Sequence, residues 1–351
     1  MINNQGSMLI RLIATYIGAV IGAGFASGQE ILQFFILFGY MGLAGVAVAT
    51  VLFAYLGALI LYLSIKLRSG SYQELLSYLL GNWAGRFMDL LSLWMLLGGL
   101  AVMLSGSGAV VQEYLGFPGW VGILAALVVI AMVIFNGVKG LLLANVILVP
   151  VKFAAVCMIA VLAILYRGLP EQLPAISSYG ISGNWLWSSV LYVSFNMIVP
   201  VAVLSSLGRS VPPRIGILGG IIGGIGLGFT ALLVTLAGLA FYPEVAGYEV
   251  PMLYMASGVN AGLRPLFALL IWLAILTTAI ANAHGFASRL APDGGKRYRL
   301  FGLAACLGVM PLTVFDFSSL VRFLYPLFGY AGLLLLAAML IVPIVKSKRK
   351  I

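Results

Sequence analysis

An all-α polytopic membrane protein is the fold class this sequence predicts, and three observations carry it. Of 351 residues, 63% are hydrophobic and only 8% are charged, with a mean hydropathy of +1.14. Apolar runs of about 20 residues or more, enough to cross a bilayer, recur from end to end. The runs are continuous rather than alternating, which excludes a β-barrel, where every second residue faces a lumen. A net charge of +10 does not point to nucleic acid here. The cations sit in short connections and in the tail "KSKRKI", where they set topology and meet anionic headgroups. Cys157 and Cys306 both fall inside apolar runs and read as packing thiols, not as a disulfide or a metal site. The opening "MINNQGSMLIRL" lacks a basic region followed by a cleavage site, so no removable signal peptide is expected.

The elements follow in chain order. Span 1, 8–28, is apolar but carries Gly18, Gly22, Gly24 and Gly28. Span 2, 40–66, is an unbroken apolar run that ends on a lysine. The stretch 71–83, "SYQELLSYLLGNW", is too short to cross; it reads as an interfacial helix with Tyr72, Tyr78 and Trp83 at headgroup depth. Spans 3, 4 and 5 occupy 85–112, 119–136 and 140–167, and a polar loop, 168–183, divides the chain. Span 6, 184–208, contains "YVSFNMIVPVAVLSS", in which Asn196 and Pro200 bracket the middle. Span 7, 213–242, carries "GILGGIIGGIGLG", read as a small-residue seam for close helix packing. Spans 8, 9 and 10 occupy 263–290, 297–314 and 317–345.

Placing the N-terminus in the cytoplasm puts fifteen Lys and Arg residues inside and three outside, Arg167, Arg264 and Arg322, with Lys152 within a span. Both termini are therefore expected to face the cytoplasm, in the plasma (inner) membrane. Residues 1–167 form one five-helix half and 184–346 the other, with 168–183 as extracellular connection and 347–351 as basic cytoplasmic tail. An odd number of spans per half makes equivalent helices run in opposite directions, an inverted repeat with a site near the bilayer midplane.

The first span of each half carries helix breakers near its middle. Proline removes a backbone donor, and glycine tolerates dihedrals other residues avoid. Unwound backbone at that depth survives where it is buried in protein or lines a cavity. The freed amides of Gly22, Ala23 and Gly24 then favour a carboxylate, and the loose carbonyls of Gly18 and Ile21 favour an ammonium or metal cation. A site with both ends suits a zwitterion such as an amino acid.

"GAVIGAGF" resembles the first-helix glycine signature of the amino acid–polyamine–organocation (APC) superfamily. "NGVKGLLLANVILVPVKFAAV" (136–156) and "SFNMIVPVAVLSSLGRSVPPRIGILGG" (194–220) are similar to that superfamily's fourth-to-fifth and sixth-to-seventh helix stretches. The fuller string "GAVIGAGFASGQEILQFF" resembles the YkvI-like branch of putative amino acid permeases. The resemblance implies a ten-helix 5+5 inverted repeat of the LeuT-like type, with helices 1 and 6 broken. Asn196 departs from the pattern, since many amino acid permeases of the superfamily carry Glu after the Phe.

Lys152 is an ammonium at mid-span, which insertion scales charge about 2.5–3.5 kcal/mol, so it must face a polar cavity or a partner. By resemblance it matches the fifth-helix lysine that stands in for sodium in sodium-independent members. "AILTTAIAN" is similar to the eighth-helix segment of sodium-coupled relatives. Carried over, it gives an alternative sodium site from the Thr277 and Thr278 hydroxyls with the carbonyls of Gly18, Ile21 and Ala274. Lysine and sodium exclude each other by like-charge repulsion. The lysine is preferred here, hence proton coupling or ion-independent exchange. Glu30 and Arg322 lie near the outer ends of spans 1 and 10; the resemblance places these helices on either side of the outward vestibule, which implies a gate ion pair. Phe195 is expected to close over substrate, Trp94 to line the cavity, and His284 to be a hydrogen-bonded packing residue.

These features predict a secondary active transporter for an amino acid or related small zwitterion or amine. No cofactor is expected beyond Na+ or H+ as coupling ion. The partners are the substrate and the lipid bilayer, with no nucleic acid, in a monomer or weak homo-oligomer. The alternatives are a sodium-coupled symporter using the Thr277/Thr278 ion site and a non-transporting membrane sensor on the same fold. No repeated filter residues suggest a channel, no nucleophile–base or metal constellation an enzyme, and no GxxxxGK[ST] loop a nucleotide-driven pump.

Overall fold

The computed structural model describes residues 2–69, 71–136, 139–169 and 183–348; of 2–4, 136, 139–147, 261, 344 and 346–348 it describes the backbone alone. Most of the connection 168–183, the end of the tail and the side chain of Lys139 lie outside the described residues. Among the described residues the protein is all helical, without strands.

The first apolar stretch is interrupted. Helix α1 (Ile2–Val20) stops at Ile21 and Gly22, and the chain resumes as α2 (Ala23–Ser27) and α3 (Gln29–Phe34). Gly22 has φ −87° and ψ −168°, an extended conformation that breaks the helical ladder. Gly28, between α2 and α3, has φ +84°, the left-handed region in which glycine alone is comfortable. Four helices complete the first half after the composite first stretch: α4 (Tyr40–Lys66), α5 (Tyr72–Leu115), α6 (Gly119–Asn136) and α7 (Lys139–Arg167). The interfacial segment is not separate. It joins span 3 in α5, kinked at Gly81 with φ +75° and ψ 178°. Trp83 is exposed, whereas Tyr72 is half-buried and lines the cavity described below.

The second half begins with α8 (Trp185–Asn196) and α9 (Ile198–Ser205). Their interruption is slighter than the sequence suggests: Met197 alone separates them and keeps near-helical dihedrals, φ −80° and ψ −12°. Pro200 has no N–H for the Asn196 carbonyl, so one ladder bond is lost without full unwinding. Then come α10 (Pro213–Ala240), α11 (Pro251–Val259), α12 (Arg264–Leu290), α13 (Gly295–Gly308) and α14 (Phe317–Lys348). Seven described helices are long and apolar enough to cross a membrane by length and composition, and shorter apolar helices occur at Gln5–Val20, Gln29–Phe38 and Gly119–Phe135.

The glycines of α10 form the seam the sequence suggests. A Cβ on Gly220 would lie 2.5 Å from the Gly57 carbonyl carbon and 2.6 Å from Ala58 Cα, so α4 and α10 meet backbone to backbone. Tyr16 of α1 fits between Gly57 and Gly223 and donates its hydroxyl to the Phe53 carbonyl at 2.8 Å. The seam therefore clamps elements of both halves around α1. Both cysteines are free.

Polar contacts mark two ends of the bundle. At the basic end, Arg209 donates to the Arg68 carbonyl and pairs with Glu74 at 3.5 Å, and Arg289 pairs with Asp89 at 3.2 Å. At the opposite end, the Glu113 carboxylate accepts from the Glu249 and Val250 amides at 2.6 and 3.2 Å. The Glu249 carboxylate accepts from the Ser318 amide and hydroxyl at 2.6 and 2.7 Å. Arg167 binds Glu244 there at 2.8 Å and, by that hydrogen bond, holds its carboxyl below the usual carboxylate range.

Candidate functional site

A cavity of about 530 Å³ lies where the α1 interruption faces α5, α7, α8–α9, α12 and α14. Its two ends differ. Thr15, Val199, Ala281 and Arg289, on the side of the basic end, are exposed. Toward the opposite end, Ala23, Gly24 and Glu30 are buried, as is every residue of α2 and α3. Gly28 packs there against α11, where a Cβ would come 2.9 Å from Met252 Cγ. The cavity is open at the basic end and sealed at the other.

The interruption supplies unbonded backbone, displaced by one residue from the expected set. Gly22 N–H is not free; it donates to the Val20 carbonyl at 2.7 Å. The amides without an acceptor among the described residues are those of Ala23, Gly24 and Phe25, while the Gly18 carbonyl loses its usual i+4 donor at Gly22. Gly18 also lets α7 approach, since a Cβ there would meet Val149 Cγ1 at 2.6 Å. One helical turn on from Val149, Lys152 reaches the same cavity wall. It is 5% exposed and has no hydrogen bond or ion pair among the described residues.

Other expected residues join it. Asn196 lines the cavity and donates Nδ2 to the Tyr192 carbonyl at 3.0 Å. Phe195 packs beside it in an aromatic cluster, with ring centroids 4.5 Å from Tyr325 and 6.1 Å from Phe328. Thr277 and Thr278 line the same cavity as Gly18 and Ile21, and both hydroxyls donate to the Ala274 carbonyl, at 3.0 and 2.9 Å. That is the back-bonding to the preceding turn usual for threonine in helices, and it engages the Ala274 carbonyl assigned to sodium. His284 lies apart from the cavity, its Nδ1 2.8 Å from the Tyr298 hydroxyl.

Two expectations are corrected. Trp94 does not line the cavity: it is 66% exposed. The inward face of α5 is Ser92, Met95, Leu96, Gly99 and Met103, a three-to-four-residue period that turns position 94 outward. Glu30 does not pair with Arg322, which is exposed on α14 and forms no ion pair with it among the described residues. Glu30 instead turns inward onto Gly24, 3% exposed. Asn282, Tyr325 and Phe328 also line the cavity and were not singled out from sequence. Asn282 carried a signal, four residues after Thr278 on one helix face; the aromatics, common in membrane helices, carried none.

Across 94% of both chains this protein is 30% identical to the uncharacterized membrane protein YkvI of Bacillus subtilis (strain 168). The chain belongs to the YkvI family. It is also 32% identical to the uncharacterized protein YyaD of the same organism, over 94% of this chain and 96% of that one. No protein-family model matches the chain. Among solved structures, the inward-facing conformation of Mhp1 matches with a TM-score of 0.57 at 15% identity, covering 92% of this chain and 72% of that one. A manganese transporter from Eremococcus coleocola matches with a TM-score of 0.53 at 12% identity, covering 92% and 75%. At such identities the likeness concerns the fold, which for this member of the YkvI family is the LeuT type.

Proposed function

We propose that the protein is a secondary active transporter that moves an amino acid or a related small zwitterion or amine by alternating access. In this reading ten crossings form two inverted halves with both termini cytoplasmic, so the basic end faces the cytoplasm and the cavity is open inward. The observation that carries the reading is the cavity itself: open at one end, sealed at the other, and lined by interrupted backbone and a lysine without a partner among the described residues. A channel has no need of a sealed end, and an enzyme needs a reacting pair that this wall does not offer.

The wall is mostly apolar, with few polar groups, as small-molecule sites generally are. The Lys152 ammonium and the free amides of Ala23, Gly24 and Phe25 suit a carboxylate. The Phe195–Tyr325–Phe328 cluster suits an apolar side chain. Because Lys152 brings its own positive charge to the wall, transport is sodium-independent and either proton-coupled or an exchange. A sodium-coupled reading is favoured by one observation, that Thr277, Thr278, Gly18 and Ile21 share this wall. The bonds of both hydroxyls to Ala274 weigh against it.

A thermal-shift screen of the purified protein with amino acids and amines, with and without sodium, tests the reading. An amino acid is expected to stabilise it without sodium. Its amide derivative is expected to bind about ten- to a hundred-fold more weakly, the loss of one charge-assisted bond of about 1.5–3 kcal/mol. Amines binding as tightly as amino acids would remove the carboxylate site. Binding without counterflow in liposomes would make the protein a sensor on this fold.

A further inference from the structure

Glu30 is the one acid on the cavity wall among the described residues, and its surroundings do not suit an anion. It is 3% exposed, and its Oε2 is buried without a hydrogen-bond partner. The elements packed against α3 bring Tyr192 of α8 and Tyr325 of α14 to face it, both within electrostatic reach. Gln29 and Gln33, its neighbours on α3, are buried with unbonded Oε1 atoms. Arg322 of α14 and Arg214 of α10 are exposed, and Tyr330 of α14 is engaged with Trp187. Lys152 lies on the same cavity wall but makes no ion pair with Glu30. An ionised carboxylate at this depth, without cation or donor, costs several kcal/mol. A proton removes that cost.

We propose that Glu30 is the proton-binding site of this cavity: protonated while the cavity is open at the basic end, and ionised when the sealed end opens and water reaches it. The step is simple acid dissociation, the carboxyl O–H giving its proton to water on the newly opened side. This rests on the alternating-access reading above and adds the coupling ion and the residue that holds it. It also explains how a substrate carboxylate would be tolerated. The Glu30 carboxyl lies against Gly24, beside the free amides. A second carboxylate there meets a neutral acid only when Glu30 holds its proton. Substrate and proton therefore raise each other's affinity, as linkage requires.

Two measurements made without substrate test the assignment. Infrared difference spectroscopy at neutral pH should show a protonated carboxyl band that Glu30→Gln removes and Glu30→Asp retains. In a protein with Cys157→Ala and Cys306→Ala, the sealed-end substitution Ala26→Cys is then labelled with an impermeant maleimide. Its labelling rate, divided by that of the same cysteine in Glu30→Gln, should climb about tenfold between about pH 6 and about pH 9. A carboxyl band unchanged by Glu30→Gln, or a flat ratio, overturns the proposal even if counterflow succeeds. If the band and the ratio behave as stated while no amino acid is carried, the proton site stands and the transport reading falls.

Discussion

Replacing Gly24 by alanine should set a side chain against Glu30, and the geometry fixes how far the two must part. An added Cβ would lie 2.8 Å from Glu30 Cδ and 2.9 Å from Cγ, with Oε1 nearer still, whereas ordinary contact begins at 3.4 Å. The carboxyl must withdraw by about half an ångström or more within a sealed, close-packed end. Overpacking of this kind costs about 1–3 kcal/mol, offset in part by the roughly 1 kcal/mol that alanine gains over glycine in a helix. Glu30→Ala removes the obstruction, so Gly24→Ala should become neutral or stabilising in that background. A double-mutant cycle on unfolding of the purified protein in detergent should give a coupling energy of about 1–3 kcal/mol. Coupling below about 0.5 kcal/mol would mean the two side chains do not meet, and the inward orientation of Glu30 would be wrong.

Lys152→Met should abolish uptake into proteoliposomes while the protein stays folded, and wild-type uptake should not require sodium. A steep sodium dependence that Thr278→Val removes would move the cation site to the threonines. Gly220→Ala should lower stability by about 1–3 kcal/mol by forcing α4 and α10 apart. Gly85→Ala, whose Cβ would meet only Leu76 at 3.9 Å, should leave stability unchanged or raise it by up to about 1 kcal/mol. The Arg167–Glu244 pair depresses the Glu244 carboxyl, so its contribution is present above the unfolded carboxylate range and is lost as the medium acidifies. Both partners are solvated, so Glu244→Gln should cost under about 0.5 kcal/mol at neutral pH, and less in acid, by thermal unfolding.

Much of this architecture is legible because lipid leaves a chain few options. Apolar runs become helices, and the glycines of "AVIGAGF" mark where the first one opens. The spacing of Gly220, Gly224 and Gly228 likewise announces a seam. Lys152 is legible for the same reason: a charge inside an apolar run has to face something polar. What pattern does not resolve is rotation about a helix axis within a run apolar on all sides. The hydrophobic contrast that would orient α5 is weak, so Trp94 and Met95, adjacent in sequence, could not be assigned to opposite faces. Glu30 misled differently. Its charge and its place near the end of span 1 suggested a solvated gate, but the left-handed turn at Gly28 re-aims α3 and carries the acid inward. The severity of the two interruptions was also hidden, because Pro200 deletes a single ladder bond whereas Gly22 abandons helical geometry outright.

The carboxylates of Glu113 and Glu249 bind backbone amides across three elements, α5, the approach to α11, and the start of α14. Hydrogen bonds to charged groups are each worth about 1.5–3 kcal/mol, and these must be exchanged for water if that end is to part. Under the alternating-access cycle proposed above the clasp would be a clock as well as a brace. The sealed end could open only as often as this clasp lets go.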